Sequence, residues 1–365
     1  MELREKICDE QNGFRPGRSC EDHIYLLNSA INMSLAENKQ VFGCFVDFKQ
    51  AFDRIDRDCL WYKLISAGVK GRIYGAIKAL YDNVKSSVKL NTGLGVTNTF
   101  PVNNGLKQGC KLSTSMFNIY IYDLCCEINN LQCGVKIGES RVSILMYADD
   151  IVLISNSAIR LQKMLDCLSQ WCKKWRMSLN ENKTKIIHFR KKITRRGNFI
   201  FKCCDKVIQY TCNYKYLGLW FNEFNDMSFA AKEIAKSATR ALGVIICKHK
   251  SLGGLSYTCF KKLYDTGVES ILRYGAGVWG NKEHRILSSV QNKAARYLLG
   301  VQKTCSNIAV MGELGWGSWN IKQYTEVVRM WLRLSNMDPS RLTSKVFKHN
   351  CTKAIICRMK TWEKV

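Results

Sequence analysis

The chain has 365 residues, with 56 Lys and Arg against 30 Asp and Glu, for a net charge of +26. That length supports two or three domains with a sizeable core, and so large a positive excess points to a polyanionic partner, nucleic acid ahead of an anionic membrane surface. No apolar run approaches ~20 residues, which argues against a membrane span, and the charged opening MELREKICDE does not read as a secretory signal, so a non-secreted protein of the nucleus, the cytoplasm or both is expected.

Residues 11–23, QNGFRPGRSCEDH, open with turn chemistry around Gly13, Pro16 and Gly17. Arg15 and Arg18 in that loop are candidates for phosphate contacts, with a solvated basic loop as the plain alternative. A helix follows over 20–37, with Ile24, Leu27, Ile31 and Leu35 on one face. The run from Val41 to Val46 reads as a buried strand that delivers Asp47 to its far end, where a carboxylate can face a cleft at the sheet edge. Leu60, Trp61, Leu64 and Ile65 recur at helical spacing before Gly68, and a second helix is expected over 71–84. Residues 87–90 and 96–100 are short strand candidates around a turn at Gly93 and Gly95. The segment GLKQGCKLS (105–113) then brings two glycines and Gln108, which suit a close backbone approach to a ligand, and a helix carrying Phe117, Tyr120, Ile121 and Leu124 follows.

The densest signal is the run 144–154, ILMYADDIVLI, in which Asp149 and Asp150 break an otherwise apolar or aromatic stretch. It reads as two buried strands joined by a tight turn that the two aspartates occupy. Two like charges among such neighbours are costly to bury, and a divalent cation bound through carboxylate oxygens is the simplest compensation; a surface Asp-Asp turn is the plain alternative. Residues 157–176 form a clear amphipathic helix through Leu161, Met164, Leu165, Leu168, Trp171 and Trp175, read as core packing. A strand is expected over 183–189, a basic run through Arg190 and Arg196 after it, and a strand with a central glycine over 214–220, where the glycine suggests a bulge or the close approach of another backbone. Helices follow over 228–247, 256–273 and 283–299, and a Trp-rich tail begins near 316.

The 18 cysteines, among them Cys44, Cys167 and Cys259, are scattered through hydrophobic patterns and read as reduced, small apolar residues. Cys203, Cys204 and Cys212 form a loose group near Tyr210 that lacks a suitably spaced histidine and does not read as a zinc site.

If the strands ending at Asp47 and around Asp149 and Asp150 are neighbours in one sheet, the three carboxylates meet and can hold two Mg²⁺ ions, an arrangement suited to phosphoryl transfer. On a basic chain this suggests a nucleic-acid polymerase, a metal-dependent nuclease using the same acids, or a non-catalytic nucleic-acid-binding protein that keeps the site only as scaffold.

Six motifs in order, QNGFRPGRS, FVDFKQAFD, GLKQGCKLS with MFNIYIYDL, YADD, LNENKTK and YLGL, cover residues 11 to 220, and together they resemble the reverse transcriptase of non-LTR retrotransposons, the long interspersed element type. The later segments LRYGAGVWG and GELGWG also resemble the downstream region of such reading frames. The resemblance implies an α+β right-hand polymerase: a residual fingers segment over 1–40, a palm over 41–222 with a ferredoxin-like antiparallel sheet and packed helices, an all-α thumb over 223–313, and a helical extension over 314–365. It implies an RNA-directed DNA polymerase, a nucleotidyltransferase working in target-primed DNA integration, with an RNA template, a DNA primer, deoxynucleoside triphosphates and two Mg²⁺ ions (or Mn²⁺) as partners, and no membrane. Asp47, Asp149 and Asp150 would be the catalytic acids, with Phe48 adding its carbonyl to the metal set and Lys183 donating a proton to pyrophosphate. Ala51, Phe52, Gln108 and Gly109 would bind the nucleotide, Phe52 excluding a 2′-hydroxyl. Arg15, Arg18, Lys107, Tyr147 and the hairpin residues Tyr216, Leu217 and Gly218 would contact nucleic acid. Thr114 stands where many relatives have Pro, Gln50 where Lys is usual, and the family's upstream Arg-Pro-Ile segment, endonuclease domain and terminal zinc knuckle are missing, so a fragment or degraded copy with intact acids and weak or no synthesis is expected, the runner-up being a nucleic-acid-binding remnant.

Overall fold

The computed structural model describes residues 7–90 and 95–362, with side chains up to residue 354. The expected turn at Gly93 and the charged opening 1–6 lie outside the described residues. The chain divides into two compact units: 1–23, 37–188 and 195–211 in the first, and 24–36, 189–194 and 212–365 in the second.

The first unit is built from alternating apolar runs and amphipathic helices. After α1 (Cys20–Ala36), whose first residues belong to this unit, β1 (Val41–Val46) is buried at every position, as a strand covered on both faces must be. Two helices follow, α2 (Arg57–Ser66) and α3 (Gly71–Ala79); Asp56 caps α2 by accepting from the Cys59 N–H. The strand candidates of 87–90 and 96–100 give only β2 (Lys85–Ser86) and β3 (Phe100–Pro101) with a lone bridge between Lys89 and Val96, a ribbon on which Val88, Val96 and Phe100 stay exposed. Next come α4 (Lys111–Asn130), β4 (Val135–Ile137), β5 (Ser140–Val142), β6 (Ile144–Tyr147), β7 (Asp150–Ser155), α5 (Ala158–Lys174), β8 (Lys185–Phe189), β9 (Phe201–Cys203) and β10 (Lys206–Tyr210).

The main sheet has the order β6-β7-β1-β8-β10-β9. β1 and β6 both pair antiparallel with β7, whereas β10 runs parallel to β8, so the fold is mixed α and β on a sheet rich in antiparallel pairs. The apolar stripe of α5 (Leu161, Met164, Leu165, Leu168, Trp171) and the buried face of α4 (Met116, Phe117, Tyr120, Leu124) join Val46, Ile144 and Ile151 in one core. Burial of that surface, at ~25 cal/mol per Å² of apolar area, supplies the main favourable term for the sheet.

In the second unit the strand with a central glycine is a hairpin instead: β11 (Asn213–Tyr216) and β12 (Leu219–Asn222) pair antiparallel with Tyr216 opposite Leu219, so Leu217 and Gly218 are the turn. Their φ values of 44° and 84° are those of a primed hairpin turn. The close approach expected at the glycine is real but comes from a ring, since a Cβ on Gly218 would lie 2.8 Å from the Tyr274 side chain, whose hydroxyl donates to the Leu217 carbonyl. The helices are α6 (Met227–Ser251), α7 (Tyr257–Tyr264), α8 (Ser270–Arg273), α9 (Ala276–Trp279), α10 (Arg285–Leu299), α11 (Asn307–Leu314), α12 (Trp319–Ser335) and α13 (Leu342–Trp362). The helix expected over 256–273 is thus interrupted by a π-helical turn over Asp265–Glu269, where buried Glu269 accepts from Arg273 at 2.8 Å and pairs with Lys322. Among the described residues no helix is long and apolar enough to cross a membrane.

Candidate active site

Strand register decides which carboxylates meet. Val46 of β1 stands opposite Ile151 of β7, so Asp47, the next residue, is placed opposite Asp150. Tyr147 pairs with Asp150 across the β6–β7 hairpin, which makes Ala148 and Asp149 the two-residue turn. The turn expected to hold both aspartates therefore holds one of them, and Asp150 is the first residue of β7. Ala148 takes a φ of 57°, the left-handed conformation that primed hairpin turns demand at their first position.

The three acids feel one another. Burial first, and then the Asp47 charge, raise the Asp149 carboxyl above its ordinary value. Asp150 keeps an open face to solvent, yet enough protein surrounds it that lost hydration, with the charges of Asp149 and Asp47, pushes it up to about 6. Asp47 is fixed through its backbone: its N–H donates to Thr184 Oγ1 at 3.2 Å, its carbonyl accepts from the Asn180 N–H at 2.7 Å, and Phe48 bridges Leu179. Phe48 is buried, its ring 6.2 Å from that of Trp171. Lys183 is exposed in the turn 180–184, whose Thr184 holds Asp47.

A second set of expected residues gathers around a cavity of about 640 Å³ lined by Phe52, Lys107, Gln108, Gly109 and Phe14 among others. The Phe52 ring stacks on Phe117 at 4.4 Å and meets Phe14 edge-on at 6.2 Å, which fixes its plane. Ala51 is buried beside it in sequence. Gln108 donates to Asp53 at 2.8 Å, and the N–H of Leu106 donates to the Phe52 carbonyl at 2.8 Å, so this loop and the segment after Asp47 hold each other. Arg57, unremarked in the sequence, secures the approach to the loop by donating to the carbonyls of Val102 at 2.8 Å and Gly105 at 3.1 Å.

Arg15 and Arg18 brace their own loop. Arg15 donates to the carbonyls of Cys8 at 2.7 Å and Gln11 at 3.0 Å; Arg18 pairs with Asp9 and donates to Asn12 Oδ1 at 3.2 Å. Tyr147 lies edge-on to His23 at 6.4 Å. Tyr216, Leu217 and Gly218 form the hairpin of the second unit described above.

A family model described as reverse transcriptase (RNA-dependent DNA polymerase) matches residues 1–221, more than half of the chain. The chain belongs to the reverse transcriptase family. This family uses divalent metal ions, in keeping with the acidic residues that close the β1–β7 and β6–β7 pairs. Among curated proteins, the chain is similar to a probable RNA-directed DNA polymerase from transposon BS of Drosophila melanogaster, 24% identical over 306 residues that make up 81% of this chain and 33% of the relative. It is also similar to the RNA-directed DNA polymerase from mobile element jockey of Drosophila funebris, 27% identical over 60% of this chain and 24% of that one. The chain thus spans a third or less of the length of these two relatives. Among solved structures, apo telomerase from Candida tropicalis aligns at 12% identity with a TM-score of 0.44, covering 95% of this chain and 59% of that one.

What sequence reasoning missed is the scaffold of the acidic hairpin. Gln11 is fully buried, and its side-chain amide bonds both polar groups of Ala148: Nε2 donates to the carbonyl at 3.2 Å, and Oε1 accepts from the N–H at 2.9 Å. The same Oε1 accepts from the Gly13 N–H at 2.7 Å. A Cβ on Gly13 would lie 2.2 Å from the Ala148 nitrogen, so that position admits glycine alone without displacement of the turn. The signal available was a glutamine two residues ahead of a glycine in a polar turn, which says nothing of a partner 137 residues away.

Proposed function

We propose that this chain carries the palm of an RNA-directed DNA polymerase, joining deoxynucleotides to a primer 3′-hydroxyl on an RNA template. The observation that carries this reading is the register that puts Asp47 opposite Asp150 beside the turn bearing Asp149. The order β8-β1-β7-β6, with α4 and α5 as the two crossovers, supports a ferredoxin-like palm, and the all-helical stretch after residue 226 supports a thumb. The chain's basic excess of +26 supports a grip on nucleic-acid phosphates.

The residues fit a pair of Mg²⁺ ions, or Mn²⁺: hard oxygen donors are gathered, and two of the acids are pushed toward their protonated forms by burial and by one another, a cost that a cation would relieve. Asp47, Asp149 and Asp150, with the Phe48 carbonyl, would hold them, and bound there they would lower the pKa of an attacking hydroxyl and neutralise a leaving pyrophosphate. The chain's other residues position and select. Phe52, its plane set by Phe117, presents a ring where a ribose 2′-hydroxyl would collide. Ala51, Gln108, Gly109 and Lys107 border the place of the incoming nucleotide, and Lys183 stands to give a proton to the departing phosphate oxygens. The hairpin Tyr216-Leu217-Gly218 supports the primer end. Tyr147 precedes the acidic turn and touches nucleic acid there, whereas Arg15 and Arg18 serve it by stiffening the loop that contains Gln11.

Primer extension tests this. With an RNA template, a DNA primer, deoxynucleoside triphosphates and Mg²⁺, extension at whatever rate has to require the metal and vanish in Asp149→Asn. Nucleic-acid binding left intact with no extension by the parent chain under any divalent ion would mark a binding remnant, and strand cleavage without nucleotides would mark a nuclease.

A further inference from the structure

A second cluster of metal-ligating side chains lies on the far side of the segment that carries Gln11. The thiols of Cys8 and Cys125 and the carboxylate of Glu10 have ligand atoms within 4.8 Å of one another. Cys125 is fully buried on α4, and its Sγ lies 3.5 Å from Glu10 Oε2. Two donors on a tetrahedral zinc ion, with bonds of about 2.0 and 2.3 Å, stand roughly 3.5 Å apart, which is the spacing of Cys125 and Glu10, and Cys8 has to approach only within the 4.8 Å that already separates the three at most. The other carboxylate oxygen is already oriented: Asn129 Nδ2 donates to Glu10 Oε1 at 2.7 Å, as the outer partners of metal-ligating carboxylates do.

We propose that Cys8 Sγ, Glu10 and Cys125 Sγ form a zinc site, separate from the aspartate cluster and selective for a borderline-soft ion because two of its three donors are thiolates. The ion displaces two thiol protons on binding, and a solvent water completes the tetrahedron. The consequence is mechanical. Residues 10–12 run alongside β6: the Met146 N–H donates to the Glu10 carbonyl at 2.8 Å, and the Asn12 N–H donates to the Met146 carbonyl at 2.9 Å. An ion tying Cys8 and Glu10 to α4 therefore clamps the strand from which Gln11 holds the Ala148 turn.

The test uses the full chain, reduced and stripped with chelator, titrated with Co²⁺ and then with Zn²⁺. One Co²⁺ per chain should give thiolate-to-cobalt charge-transfer absorption with tetrahedral d–d bands, all displaced by Zn²⁺. Cys8→Ser and Cys125→Ser should lose the bands; Cys8 is partly exposed, so its variant remains informative if the buried Cys125→Ser fails to fold. Asn129→Ala should weaken zinc binding about 10- to 100-fold. Asp149→Asn and Cys247→Ser should keep the bands, and zinc should raise the melting temperature of the parent but not of Cys8→Ser. Absence of thiolate bands, bands that survive in both Cys8→Ser and Cys125→Ser, or recovery of these two residues as a disulfide in reducing buffer overturns the proposal.

Discussion

The side-chain amide of Gln11 replaces a strand partner for Ala148, meeting its N–H at 2.9 Å and its carbonyl at 3.2 Å across 137 residues of chain. Ala148 sits at φ 57°, a conformation that costs a non-glycine residue roughly 1 kcal/mol, and the paired hydrogen bonds offset that cost. The position of Asp149 is therefore set by a residue that carries no charge and is itself fully buried.

Gln11→Ala leaves the N–H groups of Gly13 and Ala148 buried without this acceptor. At about 1–3 kcal/mol for each unsatisfied buried group, a loss of at least ~2 kcal/mol is expected in urea unfolding. Gly13→Ala should cost as much by displacing the turn through its Cβ. Either variant within ~0.5 kcal/mol of the parent would show that the turn holds itself.

Asp150 makes stability depend on pH. Its folded value of about 6 lies above the ordinary 3.8, so the folded chain binds the proton more tightly than the unfolded chain does. The contribution is fully present below about pH 4 and is lost as pH rises through about 6. Asp150→Asn should match the parent near pH 4 and melt higher at pH 7; with solvent screening on the open face, the gain is ~1 kcal/mol, or about 2–4 °C. Mg²⁺ should stabilise the parent at pH 7 and lose that effect near pH 4. An identical pH profile for the two proteins in a thermal-shift series would contradict the charge crowding described for this site.

How much of this was legible beforehand depended on whether the signal was local. The run 144–154 announced its hairpin, because alternation of apolar strands around a polar break is written in neighbouring residues, and β1 with Asp47 at its end was equally plain. The break in the helix over 256–273 was not, since Asp265 and Glu269 carry no helix-stopping residue between them except Gly267, and the π-turn is secured by Lys322 from α12. Nor was the buried face of α2. Periodicity put Leu60, Trp61, Leu64 and Ile65 inward, yet Ile65 is 46% exposed while Lys63 is 6% exposed. Lys63 is inside because its neighbours come from elsewhere in the chain: its Nζ lies 3.9 to 4.6 Å from the ring centroids of Tyr120, Trp171 and Trp175.

That burial yields a prediction. Lys63 donates to the Tyr120 carbonyl and to Asp123 Oδ1 at 2.7 Å, while Trp171 Nε1 donates to the same oxygen at 2.8 Å. Burial lowers the Lys63 ammonium to about 8, with Asp123 opposing the shift. Lys63→Ala strands Asp123 beside three aromatic rings. Removing one partner of a buried pair costs about 3–5 kcal/mol, and the low end is expected here because Asp123 is one-third exposed. Lys63→Met with Asp123→Asn should recover most of the loss, since the methionine fills the same aromatic box. Chemical denaturation of the parent and the two variants measures this; a Lys63→Ala cost under ~1 kcal/mol would mean that the box closes without the charge.

Phe52 separates packing from selection. Its ring is stacked on Phe117 and edge-on to Phe14, and it faces the cavity shared with Gln108 and Gly109. If the ring is only core, Phe52→Val should lower stability and leave nucleotide choice alone. If it stands against the sugar, the same substitution removes the clash with a 2′-hydroxyl, and the ratio of kcat/KM for deoxy- over ribonucleotides should fall about 10- to 100-fold, the scale on which a single pocket contact discriminates. Phe117→Leu is the companion: it loosens the Phe52 plane without opening the cavity wall, so it should reproduce the loss of stability and only a small part of the loss of selectivity. Single-nucleotide incorporation with matched deoxy- and ribonucleotides reads the ratio directly, and because both substrates are measured on the same folded fraction of enzyme, a change in stability cancels from it.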